Sequence, residues 1–192
     1  MIVGAILTQS TAWSNVERAL GNLSAAGALS PGGILALSEG ELAELIRPSG
    51  YYNTKARKLK AFVSLLNARF DGDLDLLRSL PAGELRSLLL ATHGIGPETA
   101  DSILLYAAGR PVFVVDAYTR RTFSRLGFTP EVDSYDAWQK LFVDSLPSDA
   151  SVFNEYHALI VRHGKEVCRK RPLCRACPLS ATCPIGMSTA AA

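Results

Sequence analysis

Apolar residues recur along most of this chain at helical spacing, broken by short clusters of Gly, Pro, Ser, Asn and Asp. The pattern is clearest in "TKARKLKAFVSLLNARF", residues 54–70, where Ala56, Leu59, Phe62, Val63, Leu66 and Phe70 fall on one stripe with cations opposite. Such a stripe describes a helix with one face on a core. Ser14-Asn15-Val16-Glu17 and Ser38-Glu39-Gly40-Glu41 both have capping-box form, each ahead of leucines at helical spacing. Pro81 opens a short helix that ends before Gly94, and Asp133 and Ser151 stand where they could cap "SYDAWQKLFVDSL" and "SVFNEYHALIVRH", the second stopping at Gly164. Only "RPVFVV", 110–115, resembles a strand; without a partner run it reads as an extended connector. The expectation is an all-α protein.

A length of 192 residues suits one large domain or two small ones sharing a core. A net charge of +2 is too mild to imply a polyanionic partner, so the position of the charge matters more than its sum. Arg162, Lys165, Arg169, Lys170, Arg171 and Arg175 stand together against the single acid Glu166. By itself such a run describes a solvated loop. The opening "MIVGAIL" has no basic residues before it and is far too short to span a bilayer, so the expectation is a cytoplasmic protein with no membrane partner. An apolar helix beginning at Met1 also leads to the expectation that a preceding segment is missing.

All four cysteines fall near the end, in "CRKRPLCRACPLSATC", with the spacing C-x5-C-x2-C-x5-C. In a cytoplasmic protein disulfides are disfavoured, and four thiolates on a short loop-rich segment suit Zn²⁺ or a [4Fe-4S] cluster. Zinc ribbons usually pair two C-x2-C knuckles; this run has one, Cys174 and Cys177, which favours iron and sulfur.

In "GIGPETAD", Gly94, Ile95 and Gly96 form a hairpin whose two glycines can take positive φ and let another backbone approach closely, and Pro97 sits at the first position of the next helix. Backbone amides at such a turn can receive a phosphate oxygen. An aspartate, Asp116, follows at the head of "AYTRRTFSRL", where it suits a helix N-cap.

Taken in order, "ILTQSTAW", "GYYNTKA", "GIGPETAD", "VVDAYTRR", "HALIVRHGKEVC" and the cysteine run resemble the endonuclease III family of helix-hairpin-helix DNA glycosylases over nearly the whole chain. The resemblance implies a helical-barrel domain over 1–110 that holds the hairpin, and a domain over 111–192 that holds the aspartate and a [4Fe-4S] cluster, with a DNA-binding cleft between them. It implies a monomer acting on double-stranded DNA that contains a damaged base, which is flipped out and excised. Asp116 matches the catalytic aspartate, Gln9 the glutamine inserted into DNA, and Tyr51 the wedge position. Gly94, Ile95 and Gly96, with Arg169, Lys170 and Arg171, would bind the DNA backbone. Cys168, Cys174, Cys177 and Cys183 would hold the cluster.

The sequence departs from the family pattern in three places, one being that it starts inside what resembles the family's second helix. Glu98 stands where bifunctional members carry a nucleophilic lysine, and no lysine occurs between Lys60 and Lys140. This leads to a monofunctional reading without lyase chemistry, with Glu98 and Asp101 bordering the pocket. The first cysteine gap is x5 where the family usually has x6. Within the family the chain looks closest to endonuclease III-like 3-methyladenine glycosylases, whose cationic substrate suits aromatic side chains such as Trp13, Tyr51 and Tyr52; the resembled enzyme lacks the cluster. The rivals are an endonuclease III acting on oxidised pyrimidines and a DNA-binding protein that has lost its chemistry.

Overall fold

Ser38 starts a helix as its spacing predicts. Its hydroxyl accepts from the Glu41 amide while the Glu41 carboxylate accepts from the Ser38 amide. The second capping box does not form. In the computed structural model, which describes residues 1–190, that helix begins at Trp13 behind Ala12, and Glu17 accepts instead from the Trp13 indole at 3.0 Å. Ser14 thus lies inside the first turn. The described residues hold helices and no strand.

The chain divides into two units, the first Met1–Gly109. It contains α1 (Ile2–Leu7), α2 (Trp13–Ala25), α3 (Pro31–Ala36), α4 (Glu39–Leu45), α5 (Tyr52–Phe70), α6 (Leu74–Ser79), α7 (Ala82–Leu90) and α8 (Pro97–Tyr106). The stripe on α5 buries Ala56, Leu59, Phe62, Val63 and Leu66, and α1, α3 and α4 pack against this helix. Its cations do not all face water. Lys55 is 2% exposed, and its ammonium donates to the Leu7 carbonyl at 2.8 Å and the Ser49 carbonyl at 2.6 Å. Burial, with repulsion from Lys58 added, pushes Lys55 down to about 8. The α7–turn–α8 pair packs as a helical hairpin, with α8 also against α1.

The second unit starts at Arg110. Residues 110–116 run extended, and the Phe113 carbonyl accepts from Gln139 at 2.6 Å while the Val115 amide donates to the Tyr135 hydroxyl at 3.3 Å. α9 (Ala117–Arg125), α10 (Tyr135–Val143) and α11 (Ala150–Glu166) follow, then a 3₁₀ turn at Cys174–Ala176 and α12 (Pro184–Ala190). Phe113 stacks on Phe142 with centroids 4.1 Å apart and meets Phe153 edge-on at 5.5 Å, which makes the connector part of the core.

The later helices begin one or two residues from where the sequence pattern put them. Ser134 caps α10, because Asp133 is taken by Arg120 and the Trp138 indole; Asp149 caps α11 through the Ser151 and Val152 amides. Gly164 does not stop α11, which continues to Glu166. A Cβ there would lie 2.6 Å from Tyr118 Cδ1, so the glycine serves the close approach of α9 to α11.

Candidate active site and cysteine pocket

The hairpin is built from Thr92 to Pro97. Gly94 has φ +80°, while Gly96 is extended as the N-cap of α8 with Pro97 behind it, so only one of the two glycines uses the left-handed region. Ile95 is buried and its amide donates to the Thr92 carbonyl at 3.1 Å. Glu98 lies exposed in the first turn of α8, where a negative charge is favoured by the helix dipole. Asp101 does not join it at a pocket edge. It is fully buried, facing Arg86 of α7 in a two-pronged contact at 2.7 and 3.3 Å. That pair ties the two helices of the hairpin together.

The fold brings to the hairpin two groups that are distant in sequence. Gln9, just beyond α1, donates to the Gly94 carbonyl at 3.2 Å and the Thr99 hydroxyl at 2.9 Å, and accepts from the Lys58 ammonium. The Lys58 stem lies across Gly94, where any Cβ would strike it. Nothing in the sequence sets Lys58 apart; on the α5 pattern it reads as one more cation of a solvated face. Tyr51, between a glycine at φ +67° and α5, is itself left-handed at φ +47° and 75% exposed. A bulky residue kept in that conformation with its ring in solvent is an outlier of the kind found at functional sites. Trp13 is exposed, and Tyr52 has the Arg47 guanidinium over its ring.

In the second unit, Asp116 caps α9. Its Oδ1 accepts from the Thr119 amide at 2.7 Å and the Thr119 hydroxyl at 2.9 Å; His157 Nε2 of α11 stands 3.7 Å from Oδ2. Burial works against the charge of this carboxylate, but the imidazole and the two Thr119 donors outweigh it and hold the group below its usual value. The result is a largely enclosed, persistently negative side chain at the start of a helix.

The cysteines meet in space. Cys168, Cys174, Cys177 and Cys183 all line one hollow of about 370 Å³, its open mouth included, together with Thr122, Arg125 and His163. Arg125 donates to the Cys168 sulfur at 3.3 Å and to the Arg169 and Lys170 carbonyls, while Arg121 donates to those of Gly164 and Cys168. Two arginines of α9 therefore shape the basic loop. Arg169, Lys170 and Arg171 are exposed on it. The Thr122 hydroxyl is buried without a partner at the hollow's wall. Among the described residues no three His, Cys, Asp or Glu side chains close on a single point as one metal ion would require.

Residues 3–148 match the family described as HhH-GPD superfamily base excision DNA repair protein. The chain belongs to that superfamily. Among HhH-GPD relatives, a candidate DNA repair glycosylase of Methanocaldococcus jannaschii is 48% identical over 89% of this chain and 78% of its own length. Endonuclease III of Sulfolobus acidocaldarius is 31% identical over 88% of this chain and 74% of its own. The H. pylori 3-methyladenine DNA glycosylase bound to 1,N6-ethenoadenine superposes with a TM-score of 0.74 at 30% identity, covering 86% of this chain and 83% of that one. An endonuclease III–DNA complex gives 0.85 over 100% of this chain and 85% of its own at 24% identity, a likeness of fold. With an endonuclease III among its relatives, the chain is an endonuclease III-like member of the superfamily, as the motifs implied.

Proposed function

We propose that this protein is a monofunctional DNA N-glycosylase that flips a damaged base from double-stranded DNA and excises it without cutting the strand. The observation that carries this reading is the enclosed, charged carboxylate of Asp116 at the head of α9. A water oxygen bonds C1′ as the C1′–N bond breaks; the electron pair of that bond leaves on the base, and the proton the water gives up passes to solvent. Asp116 stabilises the cationic sugar and orients that water. The hairpin, with Gly94, Ile95 and Gly96, and the loop with Arg169, Lys170 and Arg171 hold phosphates; Gln9 and Tyr51 fill and wedge the stack. Glu98 cannot form an imine, which supports the monofunctional reading.

The kinship to the 3-methyladenine enzyme and the exposed aromatics Trp13 and Tyr51 support cationic alkylpurines as substrate. The four thiols around one hollow, the guanidinium on Cys168 and the unpartnered Thr122 hydroxyl fit a [4Fe-4S] cluster on Cys168, Cys174, Cys177 and Cys183. The spacing, with a single C-x2-C knuckle, favours iron and sulfur over zinc. When bound, such a cluster supplies cross-links that fix the basic loop.

The test is a screen of base release from duplexes carrying alkylated purines, oxidised pyrimidines or mismatches. Release of alkylpurine is expected. Release of oxidised pyrimidines alone would favour an endonuclease III proper, and none from any duplex a protein that only binds DNA.

A further inference from the structure

The amide of Gln9 is fully engaged before any DNA is present. Its nitrogen serves the Gly94 carbonyl and the Thr99 hydroxyl, and its oxygen takes a proton donor from Lys58. Three groups on three other segments, α5, the hairpin turn and the first turn of α8, thus fix one side chain. Gly94 makes the arrangement possible: it supplies the left-handed turn, and its missing Cβ leaves the channel through which the Lys58 stem runs. Insertion of a side chain into a duplex requires every one of these bonds to be given up. Of the three partners only the lysine carries a charge, and so only the lysine is drawn off by a phosphate brought to the hairpin.

We propose that Lys58 is the positioning residue for Gln9: it latches the glutamine onto the hairpin in the DNA-free protein and on an intact duplex, and gives it up only when Gln9 inserts and a phosphate at the hairpin takes over the ammonium. The latch spares the free protein an exposed, mobile probe and makes insertion conditional on backbone contact. This inference rests on the reading of Gln9 as the residue that fills the gap left by a flipped base.

The experiment measures dissociation constants for a duplex with a tetrahydrofuran abasic analogue and for its intact counterpart. Their ratio reports the benefit of filling the gap, and cancels phosphate contacts and inactive protein common to both. The unaltered protein should prefer the abasic duplex, and Gln9→Ala should remove most of that preference. Lys58→Met keeps the stem over Gly94 but loses the charge, and Thr99→Val removes a second partner without touching charge. Each should raise the preference by about threefold to tenfold, as expected for one hydrogen bond no longer broken on insertion. Neither should change it on a Gln9→Ala background. If Lys58→Met leaves the preference unchanged or lowers it while Gln9→Ala still removes it, the latch is overturned and the glycosylase reading stands. If the unaltered protein has no preference, the reading of Gln9 as an inserting residue fails, and the latch with it.

Discussion

Asp116 combines two demands in one carboxylate. Oδ1 closes the first turn of α9 through Thr119, and the whole group keeps a negative charge beside His157. The cap was legible from position, since an Asp directly before a helical run is a common start. His157 was not, because it comes from α11 and only packing brings it near. Asp116→Asn retains size and much of the capping ability while losing the charge. Single-turnover base release should fall by about 10²-fold or more, with the thermal midpoint nearly unmoved. The sign of the acid dependence follows from the lowered pKa: Asp116 contributes stability that is present above the unfolded aspartate value and lost as pH falls through its lower folded one. Glu98→Lys is the converse test, since an amine on the first turn of α8 should allow some borohydride trapping on DNA. No trapped adduct with this variant would show that position 98 does not reach the sugar.

At the level of elements, periodicity located α5 and its apolar stripe but misplaced several of its cations. Lys55 reads as part of a solvated face, yet it satisfies two carbonyls, of Leu7 and Ser49, at the ends of the segments that precede Gln9 and Tyr51. No local pattern announces a lysine used this way, because its acceptors belong to other turns. Lys55→Met should cost about 2–5 kcal/mol in denaturant unfolding, since two buried carbonyls lose their donor. The ammonium also carries a burial penalty: the folded protein binds fewer protons than the unfolded chain between about 8 and 10.5. Stability should therefore rise with pH across that window and fall as pH drops through 8, relative to Lys55→Met. Gly164 reads as a helix stop in the sequence because glycine ends many helices, whereas in the fold it lets Tyr118 of α9 lie against α11. Gly164→Ala should destabilise by about 1–3 kcal/mol through overpacking, measured by the shift of the denaturation midpoint.

For the whole molecule, the helical class and the order of motifs were legible because period, caps and punctuation agree along the chain. The hairpin's partners were not, since Gln9, Lys58 and Gly94 lie far apart in sequence and meet only after folding. The basic loop was visible as composition, and α9 turns it into an ordered feature through Arg121 and Arg125. Replacing Arg169, Lys170 and Arg171 with Ala together should flatten the slope of log affinity against log salt by about 0.9 for each phosphate that is no longer neutralised. An unchanged slope would leave the loop a solvated surface. The most direct test of monofunctional excision follows the released base and the strand in one sample, on whichever lesion duplex the screen identifies. Monofunctional excision gives base release with the strand intact until alkali is added, and no protein–DNA adduct under borohydride. Strand scission in step with base release, with efficient trapping of the unaltered protein, would contradict it.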